Sequence, residues 1–340
     1  MIQLATDCKL PYAFCVTIYD IAKEAGVSGS TVSRVMNRRK GIKEDTRRRV
    51  QSLLDKYHFS ANETARGLVN QNTKMMGILV ADIRNTHYSD GAYIIAQECA
   101  KYGYCSLIFN TGNENASKVA YLKILASRRV DGVVLIGSTY QCDAVKEAIT
   151  LYFPDKPVVI ANGYLDMPQA YGVLVDEEKG LESCVRLLHD KGKRRIAYVT
   201  GDDTPSNRIK MMGFQEGMRM YYGSEGEIFQ ASETSYQAGY AVTKSLLPVC
   251  DGIVYAVDIL AAGGIRAVLD AGFSIPRDVA LIGVDNSQYA YVTNPKLTSL
   301  DTRLSELSLA CARVLVSVAA GGDEQKKRQV FSSIVERETT

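Results

Sequence analysis

Two regimes of hydrophobic patterning divide the chain. Up to about residue 60, apolar positions recur at helical spacing; from Met75 onward they gather into short, almost unbroken runs. In the first regime Ile21, Ala22 and Ala25 share one face of a short segment. Val32, Val35 and Met36 share a face of the next, and Val50, Leu53, Leu54 and Tyr57 a face of a third, over Glu44 to Tyr57. Such spacing is what an amphipathic helix buries, so three short helices around one small core are expected. Thr17, with Asp20 three residues on, can cap the first helix as a capping-box-like pair. Gly26 falls where the chain must turn, often through φ > 0, which glycine adopts without steric cost. Val27 plugs that turn into the core and Ser28 can cap the second helix, whereas Lys43 is a poor cap for the third.

The second regime reads as strands. The runs are MGILVA (76–81), SLIFN (106–110), GVVLIG (132–137), VVIAN (158–162), GVLVD (172–176), IAYVT (196–200), GIVYAV (252–257) and VALIGVD (279–285). Near-continuous Val/Ile/Leu runs of this length are strands buried on both faces, and here helical stretches alternate with them. The fold class is therefore α/β, with parallel, doubly wound sheets behind an N-terminal three-helix unit. An apparent break from Gly163 to Pro168 suggests two sheets in two lobes. Ligands of such sheets bind at the carboxyl ends of strands, where Asp82, Asn85, Asn162, Asp202, Asp258 and Asp285 fall. Between the regimes, NETARGLVN (62–70) is too short to be a stable helix alone, and Gly67 costs it roughly 1 kcal/mol more relative to alanine.

The first two helices have a narrower meaning. The spacing Ala-x3-Gly-Val-x4-Val-x2-Val sets two helices across a tight turn, and the second leaves Gly29, Ser30, Ser33, Arg34 and Asn37 facing outward. That is a helix-turn-helix, whose second helix is built to enter a DNA major groove. Charge agrees once the chain is divided. The whole carries only +2, but residues 17–74 hold 12 basic against 6 acidic side chains, and residues 75–340 hold 27 against 31. A basic module on an acidic body is what phosphate binding asks for. Arg47, Arg48 and Arg49 fit phosphate contact and a solvated face equally well.

Other classes of function lack their signatures. The glycines contain no G-x-G pair, and neither G-x4-G-K-[ST] nor G-x-S-x-G occurs. The three histidines, His58, His87 and His189, are not in metal-ligand spacing, so no metal, cofactor or catalytic group is expected. The eight cysteines are scattered without a C-x-x-C pair, which suits buried thiols in a reducing, cytoplasmic compartment. No apolar run reaches membrane-spanning length, and residues 1–15 make a poor signal peptide, reading instead as a loose arm or a misassigned start. An exported solute-binding protein would show the reverse, a secretion signal and no helix-turn-helix.

From Val16 to Thr340 the chain resembles the LacI/GalR family of bacterial transcriptional regulators. The motifs that carry the likeness are VTIYDIAKEAGVSGSTVSRVMN, ETARGL, DGVVLIG, GFSIPRDVALIGVD, LTSL at 297–300 and the terminal IVERETT. The resemblance implies a helix-turn-helix domain over 16–60, a hinge over 61–74, and a periplasmic-binding-protein-like core over 75–340. Its lobes would be about 75–162 plus 299–322, and about 163–298 plus 323–340. It implies a homodimer on a palindromic double-stranded DNA operator, acting as a repressor under a small-molecule effector, a sugar or related metabolite. Gly29, Ser30 and Arg34 would read base edges, Arg34 through a bidentate pair with guanine. Thr17, Tyr19, Ser28, Thr31, Ser33 and Asn37 would position the module on DNA, mainly through phosphates. In the hinge, Asn62 and Ala65 would join the interface and Leu68 would wedge between base pairs. His87, Tyr88, Asn162, Lys210, Asp258 and Asp285 would line the effector cleft. This chain departs from the family at Gly29, which offers no side chain, at Ala61, and at Lys210, where an arginine is usual and Arg208 is the nearby substitute.

Overall fold

The structure, a computed structural model, describes residues 16–36, 39–57, 59, 72–247 and 249–340. The chain forms two compact units that divide between residues 71 and 72.

The first unit holds α1 (Ile18–Ala25), α2 (Gly29–Met36) and α3 (Glu44–Lys56). Thr17 and Asp20 do form a reciprocal capping box at the start of α1. Gly26 ends that helix in the left-handed region (φ 63°), where a side chain would be strained. Ser28 Oγ then accepts from the Thr31 amide (3.2 Å), capping α2. Ile21, Ala25, Val32, Val35 and Val50 are buried together, so all three helices supply one small core. Lys56 and Tyr57 at the end of α3 both donate to Glu24 of α1 (2.9 and 2.7 Å), tying those helices on the outside. As its sequence predicts, α3 starts at Lys43 with no side-chain cap.

The second unit runs β1 (Met75–Val80), α4 (Thr86–Lys101), β2 (Cys105–Asn110), α5 (Asn115–Ser127), β3 (Gly132–Ile136), α6 (Asp143–Tyr152), β4 (Val158–Ala161) and β5 (Ala170–Val175). It continues with α7 (Glu177–Asp190), β6 (Ile196–Thr200), α8 (Pro205–Tyr222), β7 (Glu227–Gln230), α9 (Tyr236–Leu246), β8 (Gly252–Tyr255), α10 (Asp258–Asp270) and β9 (Ala280–Val284). Last come α11 (Gln288–Val292), β10 (Thr298–Asp301), α12 (Leu304–Ala319), β11 (Lys327–Val330) and β12 (Ser333–Val335). Two six-stranded sheets result, ordered β11-β5-β4-β3-β1-β2 and β12-β10-β9-β8-β6-β7. The strand pairs are parallel except β10 with β12. Each sheet is covered on both faces, with a separate buried cluster on either side. Two lobes follow, one per sheet.

The lobe boundary differs from the one the sequence suggested. Residues 163–168 are not a break between lobes, because β5 pairs parallel with β4 in the first sheet, and β11 joins it beyond. The chain instead crosses after β5, between β10 and α12, and between β11 and β12. Residues 299–301 accordingly belong to the second sheet and 327–330 to the first, the opposite of the expected split. The loop bounded by Gly163 and Pro168 misled because turn residues mark a reversal of the chain, not a change of sheet. The three crossings are laced together. Asp176 Oδ1 accepts from the Ser332 amide (2.6 Å), and Arg303 donates to Ser333 Oγ (2.9 Å).

The buried thiols behave as the sequence suggested. Burial pushes Cys99 and Cys250 up to about 11 and Cys184 up to about 12, so these sulfurs stay protonated near neutrality. Among the described residues no helix is long and apolar enough to cross a membrane.

Candidate functional site

Two surfaces bring predicted residues together. The first is the outward face of α2. Ser30 and Arg34 are exposed, while Gly29, Thr31 and Ser33 are half-buried. Arg34 stands in the last turn of the helix, with its guanidinium near Gly41 of the loop that follows. Ser28, Ser30 and Thr31 hydroxyls bond one another around the cap (2.8 and 2.9 Å), which fixes the head of the helix before any ligand arrives. Thr17 is occupied in the same way, its amide donating to Asp20 Oδ2 (2.8 Å). That exchange holds the Asp20 carboxyl below the usual carboxylate range, chiefly through the Thr17 hydroxyl. The Tyr19 ring, 77% exposed, lies 3.6 Å from where a Cβ on Gly29 would stand, so it covers the open face left by that glycine. Arg47 donates to the Arg39 carbonyl (2.9 Å), and both Arg47 and Arg48 lie near Glu44. The first two of the three arginines thus brace α3 and its loop. Asn37, Asn62, Ala65 and Leu68 lie outside the described residues.

The second surface is a cleft of about 540 Å³ between the two lobes. His87, Tyr88, Asn162, Lys210, Asp258 and Asp285 all line it, together with the strand-end residues Asp82, Asn85 and Asp202. Arg208 does not. It stands exposed and paired with Asp203 (2.7 Å). Residues two apart on a helix point roughly 200° away from each other, so Lys210 and Arg208 cannot serve one cleft from α8.

Each lining residue is held by a distinct local device. Asn85 caps α4 by accepting from the His87 amide (3.0 Å), which sets His87 and Tyr88 in the first turn, facing the cleft. Asn162 takes the left-handed region (φ 54°) and its Oδ1 accepts from the Val175 amide (3.2 Å), pinning the ends of β4 and β5. Asp285, directly after β9, also has positive φ (103°). Backbone strain of this kind concentrates where a site needs a side chain aimed against local preference.

Asp258 is the most constrained group. Its Oδ1 accepts from Ser299 Oγ (2.6 Å), and its Oδ2 from the Ser287 amide and hydroxyl (2.7 and 2.9 Å). Both oxygens are therefore engaged within the second lobe, and Asp258 locks α10 to β10 and the β9–α11 loop. Burial pushes its carboxyl up to about 7, with the Asp285 charge adding to the effect and the three donors opposing it. Lys210 is buried too. Its Nζ donates to the Ala256 carbonyl (3.2 Å) and lies 3.5 Å from Glu177 Oε1, which also accepts from Ser206 Oγ (2.7 Å).

Among the described residues the lobes touch across the cleft at two places. The Ser206 amide of α8 donates to Ser138 Oγ, in the turn after β3 (3.0 Å). His87 Nδ1 lies 3.5 Å from Asp285 Oδ1, but the two are misaligned and His87 Nδ1 is left buried without a hydrogen bond. Sequence reasoning missed Glu177, Ser138 and Ser206, which sit in no motif. Glu177 had one positional clue, since it begins the helix after β5. Among the described residues no group of three or more His, Cys, Asp or Glu is placed to hold a metal ion.

Comparison with known proteins bears on both surfaces. Residues 17–62 match the bacterial regulatory proteins of the lacI family, and residues 185–340 match the periplasmic binding protein-like domain. An HTH-type transcriptional regulator of Lachnoclostridium phytofermentans is 31% identical over 334 residues, covering 96% of this chain and 99% of that protein. Catabolite control protein A of Streptococcus mutans is 31% identical over 336 residues, covering 96% and 98%. The structure of the Lac repressor dimer bound to operator and the anti-inducer ONPF superposes with a TM-score of 0.87 over 95% of this chain and 98% of that one, at 20% identity, which is a likeness of fold.

Proposed function

The chain belongs to the LacI family of bacterial regulatory proteins and is a DNA-binding transcriptional regulator; on that premise we propose that it represses carbohydrate or small-metabolite utilisation genes under the control of a small molecule. The reading rests on one combination, a helix-turn-helix unit and a two-lobed core with a polar interlobe cleft in a single chain. One relative, in Streptococcus mutans, is a catabolite control protein, which favours carbohydrate genes over other targets.

In this account a homodimer presents two copies of α2 to two half-sites of a palindromic operator in the cytoplasm. Ser30 and Arg34 read base edges, with Arg34 forking onto guanine. Thr17, Tyr19, Ser28, Thr31, Ser33 and Asn37 position the helix, mainly on phosphates. The segment 61–74 acts as the hinge, with Asn62 and Ala65 at the DNA and Leu68 wedging between base pairs at the centre of the operator. The effector enters the cleft against His87, Tyr88, Asn162, Lys210 and Asp285, while Asp258 holds the cleft floor in shape. It replaces or reinforces the Ser206–Ser138 and His87–Asp285 contacts and so selects one arrangement of the lobes. That selection changes how the hinges of a dimer are presented to DNA. The protein acts by binding, without catalysis.

Selection of binding sites by the full chain from a random double-stranded DNA pool tests the first half of this reading. The expected product is a two-fold symmetric site with a fixed half-site spacing. A pool that stays unenriched, with binding governed by salt alone, would overturn sequence-specific regulation.

A further inference from the structure

The charge balance of the cleft is one-sided. Asp82, Glu177, Asp202, Glu233, Asp258 and Asp285 line it, against two permanent cations, Arg84 and Lys210. Both cations are already spent. Arg84 forks onto Asp82 (2.7 to 3.2 Å) and is largely exposed, and Lys210 is turned to Glu177 and the Ala256 carbonyl. Asp258 has both oxygens filled by donors of its own lobe.

Asp285 is left differently. Its side chain is only 14% exposed, its one side-chain hydrogen bond among the described residues comes from Thr302 Oγ1 at 3.5 Å, and the His87 Nδ1 facing it at 3.5 Å makes none. The Nδ1 of that ring is itself buried and unbonded on the wall of the same cavity, a second polar atom waiting for a partner there. Among the described residues the exposed Asp202 side chain, also on the cleft, has no bonded partner, and the Tyr88 hydroxyl reports the resulting field. Burial, then Asp285, Asp202, Glu177 and Asp82 in turn, push its phenol up to about 12. A half-enclosed carboxylate with weak contacts in a negative cleft is costly until a cation or strong donor reaches it.

We propose that the effector is a small polyhydroxylated molecule carrying a positively charged amine, whose ammonium group is received by Asp285 in the field of Asp202. This deepens the reading of the cleft as the effector site and rests on it. Lys210 is turned to Glu177, so the cleft offers carboxylates where a neutral sugar would want balanced donors and acceptors. Hydroxyl groups of the ligand find Asn162 and Ser138, and the cavity of about 540 Å³ suits a molecule of one or two sugar rings.

The test pairs each amine with its uncharged counterpart on the full chain: D-glucosamine with D-glucose, D-galactosamine with D-galactose, and D-mannosamine with D-mannose. Thermal-shift measurements and calorimetric titration read the binding. At least one amino sugar should raise the unfolding midpoint by a few degrees and bind about tenfold or more tightly than its neutral partner. Asp285→Asn should erase that preference. Asparagine tolerates positive φ as aspartate does, so the variant keeps the backbone it needs. Asp202→Asn, at an exposed position, should reduce the preference without removing it. Neutral sugars binding as tightly as their amines would overturn the amine while leaving the cleft as the effector site. Silence from all six would overturn both the amine and the sugar reading.

Discussion

Asp258 and Asp285 lie close enough for the charge of one to raise the pKa of the other, yet their work differs. Asp258 is structural, bonded three times over, and its carboxyl titrates near 7 in the folded chain against 3.8 unfolded. The folded state therefore holds that proton more tightly, and stability contributed by the protonated group is lost as pH rises through this window, on the order of 1.4 kcal/mol per pH unit. Urea melts of the wild type and Asp258→Asn at pH 5 and pH 8 should show the wild type's advantage shrinking at the higher pH. A constant difference would remove the titration from this residue. On the other unit, Arg34→Ala should cost about 1–3 kcal/mol at its cognate base pair and relax specificity there. An unchanged sequence preference in site selection would deny it base reading. Residues at strand ends were legible because the fold class dictates where ligands go, and Asp82, Asn85, Asn162, Asp202, Asp258 and Asp285 all line the cavity; His87, Tyr88 and Lys210 were legible through the family resemblance, which also offered Arg208, outside it. Glu177 and Ser206 were not, since what brings them to Lys210 is a chain crossing and a helix start that no local pattern announces.

Elements were read best where burial is total. All eight apolar runs form strands, but four further strands escaped notice. Edge strands β7 (EIFQ), β11 (KRQV) and β12 need not be apolar on both faces, so they carry no continuous hydrophobic signal. β10 is buried but polar, and its Ser299 and Thr298 hydroxyls are satisfied by Asp258 and the chain end. Its buried hydroxyls broke the pattern that the other central strands obey. Helix contacts were likewise invisible. Helices α9 and α10 meet backbone to backbone, where a Cβ on Gly239 would stand 2.1 Å from the Leu260 carbonyl oxygen and one on Gly263 2.0 Å from that of Tyr236. Gly263→Ala must push the helices apart and should destabilise the core by about 1–3 kcal/mol, measured by chemical denaturation. A neutral result would mean that the packing yields freely. For the segment 61–74 the expectation is specific. Leu68→Ala should weaken operator binding and reduce DNA bending while leaving the protein folded and dimeric, and bending that persists in the variant would rule Leu68 out as the wedge.

At the scale of the whole molecule the two units answer different questions, one of sequence and one of chemistry. The helix-turn-helix is complete in its cap, turn and core before it meets DNA, so little of its binding energy is spent on ordering itself. The core is built the other way. Two rigid sheets are joined by three crossings and touch across a cleft through few polar contacts, so a ligand with modest differential affinity can choose between arrangements. Linkage then requires that a ligand which weakens DNA binding is itself bound more weakly on DNA, by the same factor. The most direct test titrates the selected operator with the full chain, with and without a saturating amount of the amino sugar that stabilises it. The account predicts a change in operator affinity of about 5- to 150-fold, mirrored in the amino sugar's own affinity for the protein on and off DNA. Operator affinity that is the same in both titrations would contradict it.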